Sequence, residues 1–244
     1  MPVQMFLALL GILMAFNMNL DWKWLWYTLA ITAFFNVVLV EAYLHRYCTH
    51  KSYEMNPTLE KIIAFLASVV PGTGSPAGWA ALHTAHHRHS DTEKDPHSCW
   101  YTDFWKLATW QYPYTGTMKS SRELMKRKHH LWIHRYYLIF MMLWAILWYL
   151  IAGFHGLVFI VLLPWGIGPF LSTVQNYFLH YPSPMNYRRY DTNDHSQNTP
   201  IMHLLSFGAC GYHNTHHAKP RNWNTAEGKF EFDTASWFIR LVKK

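Results

Sequence analysis

The sequence predicts an all-α integral-membrane fold: four transmembrane helices carrying a helical cytoplasmic cap that holds a di-metal site. Three observations predict it. Aromatic residues make up 18% and charged residues only 14% of the chain, against roughly 25% charged in an average soluble domain, so there is too little charge to coat a water-facing globule. Long apolar segments alternate with polar regions. The 17 histidines concentrate in the polar regions, in short clusters beside the apolar ends. The mean hydropathy of −0.08 does not oppose this, because it averages apolar segments with histidine-rich ones.

The 244 residues are expected to form one domain, residues 1–244, without an appended electron-transfer module. Four apolar segments stand out, Val3 to Phe16, Leu25 to Tyr43, Tyr137 to Ile151 and Leu157 to Leu179. The second and fourth reach the ~20 residues that cross ~30 Å of hydrocarbon. The first and third are shorter and read as tilted partners or as spans extended by aromatic interface residues. The first segment lacks a basic leader and a small-residue cleavage site, and reads as an inserted helix in preference to a signal peptide. Polar links at Asn17 to Lys23 and Ala152 to Gly156 predict two helical hairpins.

Of the 21 Lys and Arg, only Lys23 falls outside residues 44–136 and 180–244. By the positive-inside rule these two regions form a cytoplasmic cap, both termini are cytoplasmic, and the protein is multi-pass. Trp22, Trp24, Trp26 and Tyr27 belong to the far interface with the lipid bilayer. A nucleic-acid role for the +7 charge fails, since the basic residues track membrane sidedness. Cys48, Cys99 and Cys210 are odd in number and lack CxxC spacing, as in reduced cytoplasm-facing proteins. The basic run Lys126, Arg127, Lys128 reads as a juxtamembrane anchor or as a dock for an acidic electron donor or substrate phosphates.

Within the cap, HRYCTH holds His45 and His50, HTAHH holds His83, His86 and His87, and HNTHH holds His213, His216 and His217. Residues at i, i+3 and i+4 share a helix face, so each HxxHH group is expected to aim three imidazoles at one point. The His45 and His50 pair does not share a face in a regular helix and needs a fraying helix end. His180 follows Asn176 by four residues at the end of the fourth segment, where Asn176 can hold a water on one metal. Nine imidazoles exceed what one metal accepts, so two ions are implied. Imidazole suits iron, copper and zinc alike. Asp91, Asp95 and His97 sit just after the second cluster, either as partners of ligand ring N–H groups or as loop caps. His89, His129, His130, His134, His155, His195 and His203 read as surface or structural.

The order HxxxxH, HxxHH, HxxHH, the element Asn176 to His180, and the stretch from Tyr190 through Pro220 (YDTND, then HNTHHAKP) resemble the membrane fatty acid desaturase family, close to delta-9 acyl-CoA and acyl-lipid desaturases. The resemblance covers roughly His45 to Lys244. It implies a mushroom-shaped fold and a di-iron centre held by His45, His50, His83, His86, His87, His180, His213, His216 and His217, with Asn176 contacting one iron through water. It also implies O2 as co-substrate, a fatty acyl substrate threading a channel, and a separate electron donor of ferredoxin or cytochrome b5 type. The acyl carrier is CoA, a carrier protein or a lipid. Cys210 stands where desaturases of this group have a glutamate, Thr84 and Lys51 stand where they have arginine, and Tyr177 and Phe178 replace small residues.

The competing enzymatic reading is a related hydroxylase, acetylenase or terminal-alkene-forming enzyme. A metal transporter would bury several ionisable residues within its spans, and Glu41 is the only acidic residue inside one.

Overall fold

The computed structural model describes residues 3–109 and 118–244; residues 110–117 of the expected cap lie outside the described residues. Helix α1 (Val3–Asn17) is followed by a short turn and a 3₁₀ segment (Trp22–Trp24). Helix α2 (Leu25–Phe34) runs without a break into a π-helix (Phe35–Thr49). Then come α3 (Pro57–Val69), α4 (Pro76–His89), and three shorter helices, α5 (Phe104–Ala108), α6 (Arg122–Met125) and α7 (Lys128–Arg135). Helix α8 (Tyr137–His155), a π-helical segment (Gly156–Leu162) and α9 (Leu163–His180) follow in one run. Helices α10 (Pro200–Leu205), α11 (His213–Ala218) and α12 (Thr234–Val242) complete the chain. Among the described residues there is no strand, only isolated bridges such as Asn198 with Tyr187 and Tyr212.

Among the described residues, two helical runs are long and apolar enough to cross a membrane, Trp22–Thr49 and Tyr137–His180, and Phe6–Asn17 is a shorter apolar helix. The expected third and fourth segments are therefore one run, but it is not straight. Ala152 (φ −138, ψ 20) and Gly153 (φ 57, ψ −144) leave helical geometry. Glycine tolerates that positive φ, which a side chain resists. Beyond the break the chain doubles back, since Met141 and Trp165 share one buried cluster with Ile160, Val161 and Leu162. A straight helix would hold residues 24 positions apart roughly 36 Å from each other.

The turn of this hairpin meets the turn before α2. The Asp21 N–H donates to His155 Nε2 at 3.0 Å, and the Trp24 ring lies 5.5 Å from that of His155. Close approach of α1 to α9 depends on Gly166, where a β-carbon would come within 1.9 Å of Ala8 Cβ. The outer faces of these helices present apolar side chains, with Leu150 75% and Trp26 74% exposed.

At the opposite end, helices α3 and α4 start on matching sequence signals. Asn56 accepts from the N–H groups of Thr58 and Leu59 with Pro57 behind it, and Ser75 accepts from Gly78 with Pro76 behind it, each satisfying donors that a helix start leaves open. Helix α12 packs Ala235 and Ile239 into the main core with Phe35, Leu39 and Leu44 of the π-helix.

Candidate metal centre

All nine histidines of the three clusters and the α9 terminus converge at the end of the helices opposite the Asp21 and His155 turns. They form two groups, His45, His50, His83, His87 and His216 in one, and His86, His180, His213 and His217 in the other, with the potential ligand atoms of each group within 4.8 Å of one another. The sequence reading left this division open.

The division corrects the expectation that each HxxHH triple aims at one point. On α4, His83 and His87 go to the five-histidine group and His86 to the other; on α11, His213 and His217 go to the four-histidine group and His216 crosses over. The reason is angular. At roughly 100° per residue, positions i+3 and i+4 straddle position i and point about 100° apart, so each helix serves both groups.

The pairing of His45 with His50 also has a different cause from a frayed end. In an α-helix residue i+5 lies roughly 140° around from residue i. The π-helical register closes i to i+5, and the His50 N–H donates to the His45 carbonyl at 3.1 Å. Both rings thereby face the same group, 5.0 Å apart, as π-turns at functional sites do.

Helix α11 is short and is held from outside. Asn214 Oδ1 accepts from the N–H groups of Arg189 and Tyr190, both at 2.8 Å, and its Nδ2 donates to the Tyr190 carbonyl at 3.0 Å. Asn198 Oδ1 accepts from Thr215 N–H at 3.1 Å. Gly211 is required just before it, because a β-carbon there would meet His203 Cα at 2.5 Å.

Four imidazoles have their Nδ1 engaged by a carboxylate: His45 by Glu41 at 2.9 Å, His86 by Asp95 at 3.0 Å, His180 by Asp91 at 2.9 Å and His217 by Asp194 at 2.6 Å. Such a bond places the proton on Nδ1 and leaves the Nε2 lone pair free, the arrangement usual behind metal-bound histidine. Asp91 and Asp95, which the sequence left between partners of ring N–H groups and loop caps, meet His180 and His86 here, and Asp95 also accepts from the backbone N–H groups of Asp91 and His97. The Asp91 backbone is left-handed (φ 60), and its N–H donates to Asp95 at 3.0 Å, so one loop braces His86 and His180 together. His97 stacks on His86 at 4.3 Å, and its backbone N–H donates to Asp95. Glu41 and Asp194 were not singled out for this part. Their signals were the i, i+4 spacing of Glu41 before His45 and the place of Asp194 in YDTND.

Asn176 lines two small cavities of 40 and 30 Å³ beside the histidines, with Trp79, His83 and Ser172 in both walls, and with Leu107 in one and Cys210 and His213 in the other.

The site is mostly buried, with His86 1%, His180 2% and His216 2% exposed. Burial, followed by the mutual repulsion of the rings, holds His83, His87, His213, His216 and His217 well below the ordinary histidine range and pushes His50 down to about 2. These imidazoles are neutral at pH 7 and their lone pairs are available. His86 shifts the other way: burial would lower it, but the charge and hydrogen bond of Asp95, with the charges of Asp91 and Asp194, raise it.

The donor set fits bound cations. Nε2 of His50, His86 and His217 is buried without a hydrogen-bond partner, a costly state for a polar atom unless something else binds it. Nε2 atoms of different residues also crowd together, His45 on His216 at 2.8 Å and His180 on His213 at 3.0 Å.

Fold and site define an all-helical protein whose apolar helices carry a paired polyhistidine cage compatible with a metal centre. Comparison with known proteins is specific. Residues 20–225 match the family model for fatty acid desaturases. The chain is 26% identical to the sn-2 palmitoyl-lipid 9-desaturase of Nostoc sp. (strain 36), over 96% of this chain and 84% of that protein. It is 28% identical to the acyl-CoA C20 Delta5-desaturase of Anemone leveillei, over 91% and 72%, and 26% identical to stearoyl-CoA desaturase 4 of Mus musculus, over 96% and 70%. The chain belongs to the fatty acid desaturase family. It is an enzyme that desaturates fatty acyl chains.

Proposed function

We propose that the protein is an integral-membrane, O2-dependent acyl desaturase whose nine histidines hold two iron ions, five on one and four on the other. The observation that supports this reading is the division of the cage into two adjoining groups with partnerless buried Nε2 atoms. When bound, a redox-active iron pair together with O2 supplies the oxidising power that removing hydrogen from two adjacent unactivated methylenes requires.

The chain's own residues do the positioning. Glu41, Asp91, Asp95 and Asp194 hold ring protons on Nδ1 and so aim Nε2 at the metals. Trp79, Leu82 and Leu107 form an apolar wall beside His83, against which the reacting part of the acyl chain would rest. Which carbons react depends on where that wall stops the chain. Asn176, which lines both cavities, would contact one metal through a water. The acyl substrate is carried by CoA, a carrier protein or a lipid head group, and the electrons come from a separate ferredoxin- or cytochrome b5-type donor.

In this reading α1, α2 with its π-helical continuation, α8 and α9 each cross the bilayer, the break at Gly153 being the turn between the last two. The cap, both termini and the histidines face the cytoplasm.

Iron analysis of the full chain purified in detergent tests the metal assignment. The expected result is about two iron ions per chain, and about one for His180→Ala combined with His217→Ala, which leaves the five-histidine group intact. Equal iron in both proteins, or zinc in place of iron in freshly isolated active protein, refutes it.

A further inference from the structure

Outside the nine-histidine cage a second kind of cluster is built where α3 meets α7. Glu60 of α3 is 2% exposed, and two consecutive histidines of α7 close on it. His129 Nε2 lies 2.7 Å from Oε2 and His130 Nε2 lies 2.7 Å from Oε1. The Tyr43 hydroxyl is 2.9 Å from Oε1 and 3.4 Å from His130 Nε2. The potential ligand atoms of Glu60, His129 and His130 all fall within 4.8 Å of one another. The sequence alone left both histidines as surface or structural residues, and the desaturase reading does not use them.

The His130 contact has hydrogen-bond geometry, but the His129 contact does not, and its buried Nε2 has no hydrogen-bond partner. A carboxylate oxygen and an imidazole nitrogen at 2.7 Å without a proton aimed between them repel unless a cation lies near both. Protonating both imidazoles is a poor alternative, because one carboxylate would then face two imidazolium charges and the Arg127 guanidinium, 3.6 Å from Oε1. Although burial would raise the Glu60 carboxyl, the close contacts of His130 and then His129 hold it at about 2, so it is an anion at neutral pH, while burial lowers His130. Two imidazoles and one carboxylate make the donor set of open zinc sites, in which a fourth position is left to an exogenous ligand. Here Glu60 and His129 line a pocket of 620 Å³ whose wall also carries Tyr47, Lys51, Lys61 and Arg127.

We propose that Glu60, His129 and His130 form a separate mononuclear site for a divalent cation of the zinc class, open to this pocket. Arg127 is its competitor. It approaches the same carboxylate and is held there by a 2.8 Å bond to the Tyr47 hydroxyl.

The test is metal retention by the full chain in detergent, incubated with zinc and then washed through a weak chelator. The expected result is that the native protein keeps about one zinc more per chain than Glu60→Gln or His129→Ala, and that a His86→Ala protein keeps this zinc. Arg127→Gln, at a half-exposed position, is expected to tighten zinc binding on the order of tenfold by removing a nearby positive charge. Equal zinc retention in native and folded Glu60→Gln or His129→Ala proteins overturns the proposal. Should both variants fail to fold, unchanged zinc affinity in Arg127→Gln overturns it.

Discussion

Arg46 Nη1 donates to Asp233 Oδ2 at 2.7 Å, with both side chains sealed from water at 1% and 0% exposure. The arginine also donates to the carbonyls of Trp223 and Ala209, while Asp233 accepts from Thr225 and caps α12 through Ser236. The residue next to His45 thus fixes the C-terminal segment against the π-helix. Removing one member of a buried pair leaves the other charge uncompensated, which costs about 3–5 kcal/mol. Arg46→Ala is expected to lower the detergent melting temperature sharply. Arg46→Met with Asp233→Leu is expected to cost much less, and thermal unfolding of both variants checks the difference.

Gly166→Ala is expected to destabilise the packing of α1 on α9 by about 1–3 kcal/mol, because its new carbon would overlap Ala8 Cβ, 1.9 Å away. Adding Ala8→Gly removes the clashing atom. Recovery of most of the lost stability in the double variant, measured by denaturation, verifies the contact; an additive loss contradicts it.

Asp95→Asn and Asp194→Asn remove the negative charge, and replace one of the two acceptor oxygens by an NH2 donor, at the groups that orient His86 and His217. Each is expected to weaken metal retention by roughly 10–100-fold while melting within a few degrees of the native protein. Chelator-challenge curves read by metal analysis separate this from simple unfolding.

Glu231 carries a pH signature. Burial would raise its carboxyl, but the two-point bond from Arg189, at 2.7 and 2.9 Å, and the bond from Tyr187 hold it at about 2. A carboxyl lowered on folding stabilises the fold above its unfolded value and loses that contribution as pH falls towards the folded one. Glu231→Gln is therefore expected to melt below the native protein at pH 7, and the gap is expected to narrow between about pH 5 and about pH 3. A constant gap across that range contradicts the ion pair.

The parts of this architecture legible in the sequence are those set locally. Hydrophobic runs marked α1, α2, α8 and α9, the Ala152 to Gly156 link marked the hairpin, and clustered histidines marked the cage, because burial and spacing act within a few residues. What the sequence hid is set by distant packing. Asp91 meets His180 across 89 positions and Asp194 meets His217 across 23. The π-helical register that turns His50 beside His45 follows from no local propensity. The division of each HxxHH triple needed the relative placement of α4 and α11, which pattern alone does not carry, although the 100° between i+3 and i+4 lets one helix serve two groups. Glu60 meeting His129 and His130 is again a contact between helices.

The most direct measurement is mass spectrometry of the free, thioester and lipid-bound acyl pools in a host expressing this chain, compared with the same host expressing His86→Ala. The account predicts new double bonds at one defined position that vanish in the variant. Hydroxylated, alkynyl or terminal-alkene products, or double bonds that persist without His86, would contradict it.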